Sequence, residues 1–400
     1  MRWLSRALPA LALPLMLLAD TPPAFPPSPA PRTEVTHRLV RAACASQALA
    51  RLADAAGRRA CEEDTPASAR PALGGSRTFA VPAASSGDGT LIARQRLVTI
   101  GPVALDLVAY LSSNLIVGGL LCFVDDGQPR STVLHLHGGF GGIFVNPDGG
   151  DTIGSCYRWA AENGRTAFVP SYRGQDGGQG QPELCLGEAD DVAAAALLLR
   201  SLPIVDPDRV AVVGGSMGGC VALRAGTRIP NLRAVVAIAP MTDFKAIATH
   251  HRTSFVPKVE TRCDGSTIDW DTGGPAFADL VDANICGHAG CTDEEYASRS
   301  PIPDVLNASN PTLVLAAGDD NIVPVEQQVL WSALRSAFGA HVDVDIRDRC
   351  SPVAAPVLGT DVLVYVPGAY HLMENGPVIS TLVYLSDLLD AAAPPDASGL

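Results

Sequence analysis

Gly214-Gly215-Ser216-Met217-Gly218 places a serine at the spacing G-x-S-x-G. The motif directly follows the apolar run Val210–Val213 and opens a helical stretch from Met217. In that setting it describes a strand–turn–helix elbow. The turn is so tight that its flanking positions must be small. It holds the serine hydroxyl at a helix N-terminus, where developing negative charge is favoured. The competing reading of this stretch is a plain Gly-rich helix start.

A serine hydroxyl attacks an acyl carbon only with a base to take its proton and an acid to orient that base. Beyond Ser216 the histidines are His250, His251, His288, His341 and His371. Only His371 sits in a short loop after a strong late strand, Val362–Val366, and ahead of the last helical stretch. His341 precedes its strand, which puts it at the wrong edge of a parallel sheet. The acid should end the strand before that one. Thr312–Ala316 runs into Ala317-Gly318-Asp319-Asp320-Asn321-Ile322-Val323-Pro324. Two adjacent aspartates compete, one as the orienting acid and the other as a cap for turn N–H groups.

An oxyanion formed on the acyl carbon needs backbone N–H donors. His137-Gly138-Gly139-Phe140-Gly141-Gly142 ends another strand and offers them at Gly139 and Phe140, with the Met217 N–H as a further donor. His135 and His137 lack a third ligand at metal spacing and are expected to pack within the strand and its loop.

The ten cysteines all lie beyond the N-terminal apolar run. Cys44 and Cys61 can pair locally, and Cys263, Cys286 and Cys291 cluster in a second region. Cys122 sits in a strand-like run and Cys220 in a helix-like one, so both are expected as buried thiols. Cys286-Gly-His288-Ala-Gly-Cys291 fits no common zinc spacing, and disulfide is the better reading for that cluster. No metal site is expected, and the pairing is not readable from spacing.

The elements that must position these residues alternate. Strands are predicted at Leu97–Ile100, Leu105–Leu111, Leu115–Val124, Ser131–His137, Thr166–Val169, Val210–Val213, Ala234–Ala239, Thr312–Ala316, Val342–Ile346 and Val362–Val366. Helices are predicted at Ile153–Asn163, Glu188–Leu202, Met217–Thr227, Val325–Phe338 and Val378–Ala391, with one or two short ones within Thr33–Glu63. Alternating β and α segments give an α/β fold, a mostly parallel twisted sheet with helices on both faces. Met241–Asn307 interrupts the rhythm with polar, Gly-containing sequence, and is expected to form a lid over the site.

Arg2 and Arg6 precede an apolar run, Ala7–Ala19, of about thirteen residues. A span needs roughly twenty, so the run has the layout of a secretory signal peptide. Residues 1–20 are read as that signal and 21–75 as a Pro-rich linker with a short helical segment. Residues 76–400 are read as the catalytic domain, with the insertion at about 241–307. Export to a secreted or periplasmic location permits disulfides. Net charge is −13, and lysine occurs only at Lys245 and Lys258. That leaves no basic stripe for nucleic acid and no electrostatic pull toward anionic lipid. No stable membrane insertion is expected once the signal is removed.

From about Leu115 onward the chain resembles the catalytic domain of prolyl-oligopeptidase-type serine hydrolases in the alpha/beta-hydrolase superfamily. The resemblance rests on Ser113–Leu121, His137-Gly138-Gly139, Ser171-Tyr172-Arg173-Gly174, Gly187-Glu188 with Asp191, Val205–Arg209, the elbow, Ser300-Pro301 and Asp320–Pro324. It implies the alpha/beta-hydrolase fold and a Ser-Asp-His order. Its offset to Val323-Pro324 singles out Asp320 over Asp319. Two features depart from the pattern. The segment before Leu115 is too short and too helical for the β-propeller of the larger peptidases, and the 241–307 insertion does not align.

The expectation is therefore an exported serine hydrolase acting through Ser216, Asp320 and His371, with Gly139, Phe140 and Met217 at the oxyanion. Water completes the turnover, so no cofactor is required. The substrate is a small-molecule ester or a short peptide. A carboxylesterase or dienelactone-hydrolase-like enzyme is the alternative within this chemistry. A non-catalytic binding protein on a hydrolase scaffold is the alternative of another class, and a missing triad member would mark it. Oligomeric state is not readable.

Overall fold

Along Val210–Val213 successive side chains enter opposite cores. Val210 and Val212 pack with one set of buried residues, Ala211 and Val213 with another. That is the two-residue period of a strand covered on both faces. The structure, a computed structural model, describes residues 32–55, 87–144, 149–263, 265–270, 273–350, 361–371, 385 and 388–390. The signal-like run, the Pro-rich stretch and Cys61 lie outside the described residues, as does most of the predicted helix Val378–Ala391.

The first half of the chain forms α1 (Arg32–Ala45), α2 (Gln47–Ala55), β1 (Leu91–Ile100), β2 (Val103–Ser112), β3 (Leu115–Val124), β4 (Arg130–Leu136), α3 (Gly149–Ala161), β5 (Thr166–Ser171) and α4 (Gly187–Ser201). Next come β6 (Val205–Gly215), α5 (Met217–Gly226), β7 (Val235–Ile238), α6 (Phe244–Thr253), β8 (Lys258–Thr261), β9 (Thr267–Trp270), α7 (Pro275–Ile285) and α8 (Asp293–Arg299). The last are β10 (Thr312–Ala317), α9 (Val325–Ala337), β11 (Val342–Ile346) and β12 (Asp361–Val366).

Ten strands make one sheet in the order β1-β2-β3-β5-β4-β6-β7-β10-β12-β11. Pairs from β1 through β3 to β5 are antiparallel, and every pair from β5 to β11 is parallel. One face buries Leu39, Leu49, Ile153, Trp159 and Leu388, from α1, α2, α3 and the C-terminal residues. The other buries Val192, Leu199, Val221, Phe244 and Trp331, from α4, α5, α6 and α9. All ten residues of α5 are buried, so among the described helices the one behind Ser216 is the most enclosed.

The N-terminal helices belong to this packing. Leu39 fills the space left by Gly118 on β3, where a Cβ would stand 2.7 Å from its Cδ2, and Arg38 Nε donates to the Gly177 carbonyl. Among the described residues no helix is long and apolar enough to cross a membrane.

Cysteine pairing departs from expectation at three positions. Cys122 is bonded to Cys156 and Cys220 to Cys185, so neither is a thiol. Each pair joins an element to its packed neighbour, β3 to α3 and α5 to the turn before α4. Cys263 leaves its local cluster and bonds Cys350, 87 residues away, while Cys286 bonds Cys291. Cys44 is also disulfide-bonded.

Candidate active site

Ser216 follows β6 and caps α5 with φ 56° and ψ −121°, a conformation that side-chain-bearing residues rarely adopt. The surrounding glycines are required by space. A Cβ on Gly214 would collide with the Gly218 carbonyl oxygen, and one on Gly218 with the carbonyl oxygens of Leu136 and His137. The Ser216 N–H donates to the Ile238 carbonyl on β7 at 2.8 Å, which anchors the strained residue to the neighbouring strand.

Because the strands from β5 to β11 are parallel, the loops after β4, β6, β10 and β12 open on one edge. That edge brings the expected residues together. His371 Nε2 lies 2.9 Å from Ser216 Oγ, and His371 Nδ1 lies 2.7 Å from Asp320 Oδ2. Asp320 Oδ1 accepts the N–H groups of Ile322 and Val323 at 2.8 and 2.9 Å, so its own loop wraps the carboxylate. Gln328 on α9, not singled out in the sequence, donates to Asp320 Oδ2 at 2.8 Å and accepts the Ala317 N–H at 2.7 Å. Asp319 is exposed, and its N–H donates to the Ala369 carbonyl. His341 is exposed on the far edge beside Asp343.

The loop after β4 lies against the elbow. A Cβ on Gly138 would stand 2.9 Å from the Gly215 carbonyl oxygen and 3.3 Å from Ser216 Cβ. Gly139 takes φ +73°, which turns the chain toward Phe140. Behind the loop, His137 stacks on Tyr172, whose hydroxyl donates to the His137 carbonyl at 3.3 Å. Burial holds the His137 ring below the ordinary histidine range, so it stays neutral at pH 7. His135 accepts from Trp159 Nε1, so both histidines pack as expected.

The buried Asp176 accepts the N–H groups of Ile143 and Phe144 and the Ser171 hydroxyl, pinning the far end of the same loop. Arg173 is buried between Asp191 and Glu183 and fixes the segment after β5 on α4. Burial pushes the Glu188 carboxyl up to about 7, although its Oε1 accepts the N–H groups of Glu183 and Leu184.

The 241–307 insertion supplies α6, the β8–β9 hairpin, α7 and α8. It meets the site from above the acid loop: His250 and His251 bond the carbonyls of Asn321 and Ile322, and Lys258 bonds that of Asp319. Phe277 of α7 packs edge-on against Phe140 at 5.8 Å. Cys286, His288 and Glu295 place ligand-type atoms within 4.8 Å of one another, but the Cys286 sulfur is committed to its disulfide and Glu295 to capping Thr292.

A family model described as the Alpha/beta hydrolase family matches residues 133–375, a stretch that contains all of these loops. The chain belongs to the alpha/beta hydrolase family. This is the superfamily to which its motifs pointed. The alpha/beta hydrolase is 25% identical over 230 residues to the "Uncharacterized peptidase YtmA" of Bacillus subtilis (strain 168), covering 57% of this chain and 78% of that one. Its fold is similar to that of acetyl xylan esterase 1 from Thermoanaerobacterium sp. JW/SL YS485, with TM-score 0.50 and 14% identity over 76% of this chain and 89% of that one. It is also similar to a bacterial heroin esterase, with TM-score 0.52 and 18% identity over 74% and 87%. At these identities the likeness to the two esterases is one of fold.

Proposed function

We propose that this alpha/beta hydrolase is a serine-type enzyme that cleaves acyl bonds through a covalent intermediate on Ser216. The observation that carries the reading is the continuous relay from Ser216 Oγ to His371 to Asp320, with both contacts within 2.9 Å. His371 takes the Ser216 proton as the oxygen attacks the acyl carbon, then delivers it to the leaving group. Asp320 orients the imidazole and offsets its charge. The N–H groups of Gly139, Phe140 and Met217 receive the oxyanion. Water, activated by His371, releases the acyl group and restores Ser216.

The substrate we propose is a small ester or a short peptide. Prolyl-oligopeptidase-like motifs support peptide chemistry. The insertion packed across the acid loop supports short substrates. Disulfides at Cys122, Cys185, Cys263 and Cys286 support an oxidising, extracytoplasmic location. The test is a panel of aryl esters, dipeptide amides and casein with wild type and Ser216→Ala. Turnover of small esters, lost in the folded variant by several orders of magnitude, is expected. Efficient casein degradation that depends on Ser216 would overturn the size limit, and unchanged ester turnover by Ser216→Ala would overturn the mechanism.

A further inference from the structure

His251 lies in the last turn of α6, inside the insertion, and is only 1% exposed. Both ring nitrogens are committed. The Gly274 N–H donates to Nδ1 at 3.1 Å, so Nδ1 carries no proton. Nε2, 2.8 Å from the Ile322 carbonyl oxygen, must then be the protonated nitrogen and donates to it. The ring is held between Phe255, stacked at 5.1 Å, and Phe277, tilted at 4.3 Å. Burial pushes its pKa down to about 4 against the hydrogen bond to the Ile322 carbonyl, which raises it; His250 and His371 act with burial and Asp320 against it. The neutral tautomer therefore persists across the neutral range.

Ile322 is the residue whose N–H binds Asp320 Oδ1. One side of this residue thus holds the carboxylate, and its carbonyl is held by a side chain from the insertion. His250 grips the preceding carbonyl, of Asn321, at 3.0 Å. Consecutive histidines clasp consecutive carbonyls of the acid loop, and Phe277 carries the same cluster to Phe140 on the oxyanion loop. A segment that only roofed the site would need none of these contacts to the peptide groups around Asp320.

We infer that His251 is a positioning residue for acyl transfer: by fixing the Ile322 carbonyl it sets the orientation in which Asp320 meets His371. The inference rests on the proposed Ser216–His371–Asp320 mechanism and makes the insertion part of the catalytic framework. Small displacements of a catalytic group cost about 100-fold in rate even when their source is remote. The effect should appear in the activation of Ser216 rather than in substrate affinity.

The experiment compares full-length wild type with His251→Phe, His251→Gln and His251→Asn. It reads kcat and KM on p-nitrophenyl acetate and the rate of labelling by a small fluorophosphonate, with circular dichroism and thermal unfolding as checks on the fold. Phe keeps the ring packing and loses both hydrogen bonds. It is expected to lower kcat about 10- to 100-fold with KM within about twofold, and to slow labelling by the same factor. Gln retains a donor and an acceptor and should recover most of the rate. Asn is too short to reach both partners and should not.

If His251→Phe fails to fold, the Gln and Asn variants decide by the same criterion. Labelling of the folded Phe variant at the wild-type rate, or equal rates for Gln, Asn and wild type, would overturn the inference. A rise in KM with kcat unchanged would do so too, since it would mark a substrate wall. Failure of the underlying mechanism looks different: wild type itself would not label at Ser216.

Discussion

Gln328 Nε2 donates to Asp320 Oδ2 at 2.8 Å, the same oxygen that lies 2.7 Å from His371 Nδ1. A fully buried amide therefore fixes the lone-pair direction in which the acid meets the base. The same side chain accepts the Ala317 N–H at the end of β10, so helix α9, strand β10 and Asp320 are tied at one point.

Gln328→Leu leaves the Ala317 N–H and one Asp320 oxygen short of partners in a buried site. It is expected to destabilise the fold by about 1–3 kcal/mol and to lower kcat more than it raises KM. Gln328→Glu should be worse, because it sets a second carboxylate against Asp320. Urea unfolding and steady-state kinetics check both, and a folded Gln328→Leu with wild-type kcat would contradict the role assigned to the amide.

The paired candidates separate by kinetics. Asp320→Asn is expected to lower kcat by about 10⁴, the scale of acid loss in serine triads. Asp319→Asn, on an exposed side chain, should change it little. His371→Ala should abolish turnover and His341→Ala should not. A reversed order in either pair would overturn that assignment.

The central strands β6, β7 and β10 were legible because Val210–Val213, Val235–Ile238 and Leu313–Ala317 are unbroken apolar runs ended by Gly or by Ala239-Pro240, a pattern that a doubly covered parallel sheet requires. Leu91–Arg96 of β1, interrupted by Arg94, Gln95 and Arg96, was not. Ser216 was legible because the elbow's glycines are local: each clash that excludes a Cβ comes from the turn itself or from the β4 strand end beside it. Strand order pointed to His371 and narrowed the acid to Asp319 or Asp320; the family resemblance, through its offset to Val323-Pro324, singled out Asp320. Gln328 and His251 were not readable. Their roles depend on which side of α9 and of α6 faces the acid loop, and Gln327 and His250 stand beside them with the same chemistry. Cys122 and Cys220 were misread because a cysteine in a buried strand or helix looks the same whether or not a neighbour across the packing interface is also cysteine. Cys263 and Cys350 are brought together by the insertion folding back on the chain after β11, which no spacing announces.

That last bridge should matter for stability. It closes an 87-residue separation between the β8–β9 hairpin and the chain beyond β11. Arg349 reinforces it by donating to the Thr261 and Gly368 carbonyls. In the chain-entropy view a loop of that length is worth about 4–5 kcal/mol. Replacing both cysteines by serine should lower the calorimetric midpoint by several degrees. An unchanged midpoint would contradict the claim, as would ten free thiols in the denatured protein isolated from its native compartment.

Glu188 gives a pH dependence of defined sign. Burial raises its folded-state value to about 7 from 4.5, so between these values the folded chain binds more protons than the unfolded one. Stability from this group is full below about pH 4.5 and is lost as pH rises through 7. Glu188→Gln keeps the acceptor for Glu183 and Leu184 and removes the titration. From pH 5 to pH 8 wild type should lose up to about 3 kcal/mol relative to the variant. Urea midpoints at the two pH values test this, and parallel behaviour would contradict it.

The most direct test of the catalytic assignment is the site of covalent modification. Purified protein would be treated with a fluorophosphonate, digested, and mapped by mass spectrometry, with Ser216→Ala and His371→Ala alongside. The expected result is one adduct per chain, on Ser216, absent from Ser216→Ala and strongly slowed in His371→Ala. An adduct on another residue, or an active enzyme that takes no label at Ser216, would contradict it.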